Sequence, residues 1–201
     1  PRGVVLIIAP WNFPFNLTIG PLISALAAGN RVIIKPSEMT PHVSNLISEM
    51  INELFEPNRV AIFQGDQKVA QSLLKYPFHH IFFVGSPSVG KIVMAEAAKH
   101  LSSITLELGG KTPTIIDKTA NIKMAINKLA WGKCLNLGQS CISPDYILIH
   151  ESKKNEFLEG FSKKINDVYG DSYEEKKNSD HLARIVNQRH WDRLDSLITS
   201  S

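Results

Sequence analysis

The chain opens on Val4–Ile8, five aliphatic residues in a row. An unbroken run of that kind is expected of a strand buried on both faces, as in a parallel sheet. A loop over Ala9–Phe15 and an apolar helix through about Ala28 follow. Arg31–Lys35 reads as a second strand, stopped by Pro36. Pro41 then begins a helix with Val43, Leu46, Ile47, Met50, Ile51 and Leu54 at helical spacing. Val60–Phe63 is a third strand, Val69–Leu74 a short helix, His80–Val84 a fourth strand, Ser88–His100 a helix and Ser103–Glu107 a fifth strand. The strand–helix alternation predicts an α/β fold, a parallel sheet with helices on both faces.

After Gly109-Gly110 the pattern restarts. Thr114–Ile116 and Tyr146–Ile149 read as strands, Ile122–Leu135 and Lys153–Tyr169 as helices. Gly170–Asp180 is expected to be a loop, and His181–Ile198 a last helix. The boundary divides the chain into residues 1–109 and 110–201, the second an incomplete α/β unit.

Composition narrows the classes. With 43% hydrophobic and 20% charged residues the 201-residue chain is globular. A net charge of +3 is mild, and the lysine pairs at 163–164 and 176–177 stand among glutamates, so no nucleic-acid stripe is expected. Two cysteines, Cys134 and Cys141, are too few for a disulfide framework and match no common zinc spacing; no metal site is expected, and a reducing, cytoplasmic setting is. Gly3 to Asn30 carries no charge, but Pro10, Asn12, Pro14, Asn16, Gly20 and Pro21 break it up, so it reads as buried structure and not as a targeting segment or membrane anchor.

Five motifs carry candidate chemistry. Glu107-Leu-Gly-Gly-Lys111 puts a carboxylate at the end of an apolar strand, where poor solvation suits a general base. Gly138-Gln-Ser-Cys141 puts a thiol on a turn, the minimum for a covalent nucleophile, whereas Cys134 falls inside a helix and fits a packing role. Asn12, between Pro10 and Pro14, either caps the local backbone or donates to a developing oxyanion. Lys35-Pro-Ser-Glu38 at a strand end is either an ordinary turn or a pair that grips two ribose hydroxyls. Gly85-Ser-Pro-Ser-Val-Gly90-Lys91 has nearly the spacing of a phosphate-binding P-loop, but Ile92 lacks the hydroxyl that would hold Mg²⁺ and Pro87 lacks an N–H; a structural turn and a pyrophosphate seat both remain open.

Together and in this order, the motifs resemble those of the aldehyde dehydrogenase superfamily, and Cys141-Ile-Ser-Pro-Asp-Tyr146 is similar to its class 3 branch, which includes fatty aldehyde dehydrogenases. The resemblance implies a Rossmann-like NAD or NADP domain over 1–109 and part of a catalytic domain over 110–201. It implies that Cys141 attacks an aldehyde, that Asn12 and the Cys141 N–H hold the oxyanion, and that Glu107 activates the water that hydrolyses a thioester. Lys35 and Glu38 would hold the adenosine ribose, Gly85, Ser86, Val89 and Gly90 the pyrophosphate, with Trp11 and Leu108 near the nicotinamide. Members of the superfamily are longer, so the chain is expected to be a central piece, with a homo-oligomeric full-length protein. The alternative is a truncated, non-catalytic paralogue that binds nucleotide or a partner.

Overall fold

A computed structural model gives the fold, with residues 1–200 described. The chain divides into two compact units, Pro1–Gly109 and a second that begins at Gly110. The first contains β1 (Val4–Ile8), α1 (Asn16–Ala27), β2 (Arg31–Lys35), α2 (Pro41–Leu54), β3 (Val60–Ile62), α3 (Gln67–Leu73), β4 (His80–Gly85), α4 (Pro87–Ala98) and β5 (Ser103–Leu108). All five strands are parallel and lie in the order β3-β2-β1-β4-β5.

The period of two along β1 explains why its residues are all apolar. Leu6 and Ile8 point to one face, where they pack with Ile81, Phe83, Leu73 of α3 and Val93 and Ala97 of α4. Val5 and Ile7 point to the other, against Val32, Ile34, Leu22 of α1 and Ile47 and Ile51 of α2. Both faces are core, so no position of β1 has a use for a polar side chain. Each fully buried aliphatic side chain contributes about 1.5–3 kcal/mol relative to exposure. Asn30 ties the layers together: its Oδ1 accepts from Arg2 N–H at 2.7 Å and Gly3 N–H at 3.0 Å, and its Nδ2 donates to Ala25 O at 3.0 Å.

The second unit contains β6 (Thr112–Ile116), α5 (Ile122–Cys134), β7 (Pro144–Ile149), α6 (Glu151–Tyr169), α7 (Tyr173–Asn178) and α8 (Gln188–Thr199). Strands β6 and β7 form a parallel pair. The core holds Ile116, Ile122, Ile126, Leu129 and Phe157, the last stacked on Phe161 with ring centroids 5.4 Å apart.

Two expectations fail here. The segment 170–180 is not all loop: Ser172 and Glu175 form a reciprocal capping box, which with Glu174 in the first turn and Lys176 and Lys177 in the last nucleates α7. The last helix begins at Gln188, not His181, because Asn187 caps it by accepting from His190 N–H at 3.0 Å. Among the described residues no helix is long and apolar enough to cross a membrane.

Candidate active site

In the first sheet the chain leaves β1 toward β2, then returns past it to β4, so the strand order reverses beside β1. Open parallel sheets bind ligands outside the C-terminal strand ends at such a reversal. The loop after β1 carries Trp11 and Asn12, β2 ends at Lys35, β4 ends at Gly85 with Ser86 following, and β5 ends on Glu107 and Leu108. Ten of the eleven candidate site residues therefore belong to one edge of one sheet; Cys141 belongs to the second unit.

Asn12 is half-buried, and its Oδ1 accepts from Phe13 N–H at 3.1 Å. That bond fixes which end of the amide is oxygen and aims the Nδ2 donor end away from it. Lys35 is buried, 4% exposed, and its Nζ donates to Glu38 Oε2 at 2.5 Å. The two residues expected to flank a ribose thus form an ion pair, with the carboxylate end 42% exposed.

Ser86 is the N-cap of α4: its Oγ accepts from Val89 N–H at 3.3 Å and lies 3.0 Å from Ser88 Oγ. The stretch expected as a loop is thus shorter. Pro87 sits at the first helical position, where its missing N–H would have had no helical partner, so Val89 and Gly90 belong to the first turn of α4. A helix N-terminus at a strand end favours an anion. Both glycines answer to space. A Cβ at Gly85 would lie 2.5 Å from the Phe83 ring, and one at Gly90 would lie 3.0 Å from Leu108 Cδ2, so Gly90 lets α4 lie close to β5. These features fit a dinucleotide: a hydrogen-bonding pair at β2, a capped helix N-terminus at β4 and small residues between them.

Glu107 departs from expectation. It is exposed, because β5 is an edge strand with only β4 beside it and Glu107 stands at its open end. Burial within the first unit therefore does not supply the poor solvation expected of it.

Cys141 is exposed, whereas Cys134 is half-buried at the end of α5. Cys134 hydrogen-bonds the Tyr169 hydroxyl; burial first, then Cys134, push that phenol above its usual range. The turn before Cys141 is unusual. Asn136 (φ 50°), Leu137 (φ 53°) and Gly138 (φ 73°) are consecutive left-handed residues. For a side-chain-bearing residue that costs roughly 1–2 kcal/mol. Beyond the thiol, Ser143 N–H donates to Ser140 O at 3.2 Å and Ile142 N–H to Ser140 Oγ at 3.4 Å. Ser143 is buried, and its Oγ has no hydrogen-bond partner among the described residues. A Cβ at Gly110 would lie 3.0 Å from Cys141 O, and Lys111 pairs with Asp145 at 3.4 Å.

Sequence reasoning missed the left-handed turn and the close approach of Gly110. The Asn and Gly in Leu135-Asn-Leu-Gly138 are a signal for the turn; Leu137 gives none. Cavities of about 450, 600 and 660 Å³ in the first unit include none of the candidate residues. Among the described residues no cluster of three His, Cys, Asp or Glu could hold a metal.

The chain has relatives among known proteins. A 4,4'-diaponeurosporen-aldehyde dehydrogenase of Staphylococcus aureus is 48% identical over the whole chain and 43% of its own length. A dimeric NADP-preferring aldehyde dehydrogenase of Mus musculus is 47% identical over the whole chain and 44% of its own length. The solved structure of Staphylococcus aureus AldH in a substrate-bound state superposes with a TM-score of 0.92 at 48% identity, over 100% of this chain and 43% of that one. The chain therefore spans less than half the length of the relatives it matches. The family model described as "Aldehyde dehydrogenase family" matches residues 1–201, and the chain belongs to that family of oxidoreductases.

Proposed function

We propose that the chain carries the cofactor seat and nucleophile of an NAD- or NADP-dependent aldehyde dehydrogenase that oxidises an aldehyde to a carboxylic acid. The first unit is the cofactor domain and the second part of the catalytic domain. The observation that carries the reading is the gathering of Trp11, Asn12, Lys35, Glu38, Ser86 and Glu107 at one strand edge, beside the reversal of strand order.

In this reading the Cys141 sulfur adds to the aldehyde carbon and its proton leaves to water. Asn12 Nδ2 and the Cys141 N–H donate to the resulting oxyanion. A bound nicotinamide dinucleotide supplies the hydride acceptor. Glu107 takes the proton of the water that attacks the thioester, and the acid leaves as the thiol is restored. Lys35 and Glu38 hold the adenosine ribose by donation and acceptance respectively, and the α4 N-terminus with Ser86 faces the pyrophosphate. Glu38 disfavours a 2′-phosphate by charge and Lys35 offsets part of that, which suits use of either NAD or NADP. The name of the mouse relative supports an NADP-using, homo-oligomeric full-length protein. The free cysteines suit a reducing compartment such as the cytoplasm.

The test is a pair of measurements on the purified protein. NAD⁺ or NADP⁺, but not ATP–Mg²⁺, is expected to raise the melting temperature. Iodoacetamide is expected to label Cys141 faster than Cys134, with benzaldehyde slowing only the former. Faster labelling of Cys134, or stabilisation by ATP–Mg²⁺ alone, would sink the proposal.

A further inference from the structure

The Gln139 side chain, two residues before the thiol, joins two stretches of backbone far apart in sequence. Its Nε2 donates to Asn136 O at 2.9 Å and to Arg184 O at 3.0 Å, and its Oε1 accepts from Val186 N–H at 3.0 Å. The carbonyl of one residue and the N–H of the residue two further on face the same side of an extended stretch, where a neighbouring strand would pair with them. Gln139 thus docks the irregular segment before α8 in the way a strand would, using one planar amide. Its third bond reaches into the left-handed turn, where Asn136 O also accepts from Gln139 N–H at 3.1 Å. Strained backbone persists only where its surroundings over-determine it, and such strain gathers at functional sites. Here the over-determination is this amide on one side of Cys141, the Ser140 bonds on the other, and the close approach of Gly110 to the Cys141 carbonyl.

We propose that Gln139 is a positioning residue for the Cys141 nucleophile, its amide locking the left-handed turn Asn136–Gly138 to the Arg184–Val186 backbone so that the thiol is presented in one orientation. The inference rests on the reading of Cys141 as the nucleophile. Gln139 touches neither substrate nor cofactor in this account; it acts through the backbone of the turn. Removing it frees a strained turn to relax toward right-handed conformations, which carries the thiol away from the trajectory that addition to a carbonyl needs.

The experiment uses the purified protein and two readouts. Amide hydrogen exchange at Val186 reports the clasp. The benzaldehyde concentration that half-protects Cys141 from iodoacetamide, with the pH profile of that labelling, reports the orientation of the thiol. Gln139→Leu is expected to speed exchange at Val186 and to raise the half-protecting concentration about tenfold or more, since small misplacements of reacting groups cost factors of that size. Labelling of Cys134 serves as the internal reference and stays within about twofold of wild type, a margin below the sensitivity of misplaced reacting groups. Gln139→Glu, which keeps an acceptor for Val186 N–H but turns oxygen toward two carbonyls, is expected to shift both readouts in the same direction. If Gln139→Leu fails to fold, Val186→Pro removes one arm and leaves the glutamine in place; with no N–H at 186 to exchange, it is read by the half-protecting benzaldehyde concentration alone, which is expected to rise by a smaller factor. Val186 exchange that is fast in wild type, or aldehyde protection and pH profile left unchanged in variants that lose Val186 protection, would overturn the proposal. Wild-type Cys141 that no aldehyde protects would instead overturn the nucleophile reading, and this inference with it.

Discussion

The ion pair between Lys35 and Glu38 should be unequal when broken from its two ends. Lys35 is buried with a side chain 5% exposed, whereas Glu38 is 42% exposed, and Nζ and Oε2 are 2.5 Å apart. Lys35→Met removes a charge that was costly to bury and fills its volume with an apolar chain, leaving a carboxylate that water can still reach. Replacing buried ionic groups by apolar ones of like size is often neutral, so we expect Lys35→Met to stay within about 1 kcal/mol of wild type. Glu38→Gln does the reverse: the ammonium stays buried and loses the carboxylate that pairs with it. Breaking a fully buried pair costs about 3–5 kcal/mol, but the exposed half of this pair is screened by solvent, which lowers the expectation to about 1–3 kcal/mol. In a unit of this size that is a drop of roughly 5–15 °C in melting temperature. Circular-dichroism melts of the two variants decide the matter, and NAD⁺ titration by calorimetry should show weakened binding in both. A Lys35→Met variant less stable than Glu38→Gln would show that lysine desolvation is not the controlling term.

Glycine should separate by location. Gly20→Ala, exposed in the middle of α1 with nothing within 4 Å of the new Cβ, should stabilise by about 0.5–1 kcal/mol in denaturant melts. Gly85→Ala must displace the buried Phe83 ring and should cost about 1–3 kcal/mol; a smaller cost than 0.5 would contradict the packing. Ser143→Ala removes a buried hydroxyl without a partner among the described residues and should be neutral or stabilising by up to about 1 kcal/mol, so a clear loss in the same melts would contradict that geometry. His80 is held below the usual histidine value of about 6.5, first by burial and then by Arg2. The unfolded chain therefore takes up this proton before the folded one does. Stability should fall as pH drops through about 6.5 toward the lowered native value, then stop changing on this account. His80→Gln should flatten that part of a stability-versus-pH curve; an unaltered slope would assign it elsewhere, His190 being the other histidine shifted the same way.

Much of the first unit was legible because one physical signal dominated it. The β1 run is apolar throughout since both faces are core, and Pro36, Pro41 and the Gly109-Gly110 pair mark element ends that the structure keeps. The α/β class and the family followed from order and motif. What stayed hidden depended on contacts at a distance or on local bonds that compete with composition. The helix over Tyr173–Asn178 is hidden because its charge-rich sequence looks solvated, although Ser172 and Glu175 have capping-box spacing. Glu107 reads as a desolvated carboxylate in sequence, because sequence shows that a strand is apolar but not that it is at an edge. The clasp at Gln139 spans 45 residues to Arg184, a pairing no local pattern announces.

The β6–β7 pair has a consequence for what its surface can accept. Ile115, Tyr146, Ile147 and Leu148 are exposed at 75%, 48%, 37% and 55% on two parallel strands, with no third strand beside them among the described residues. Bare backbone edges flanked by aliphatic side chains are templates for strand addition and a target for chaperones. On this surface a further extended segment gains backbone bonds and aliphatic contacts at once.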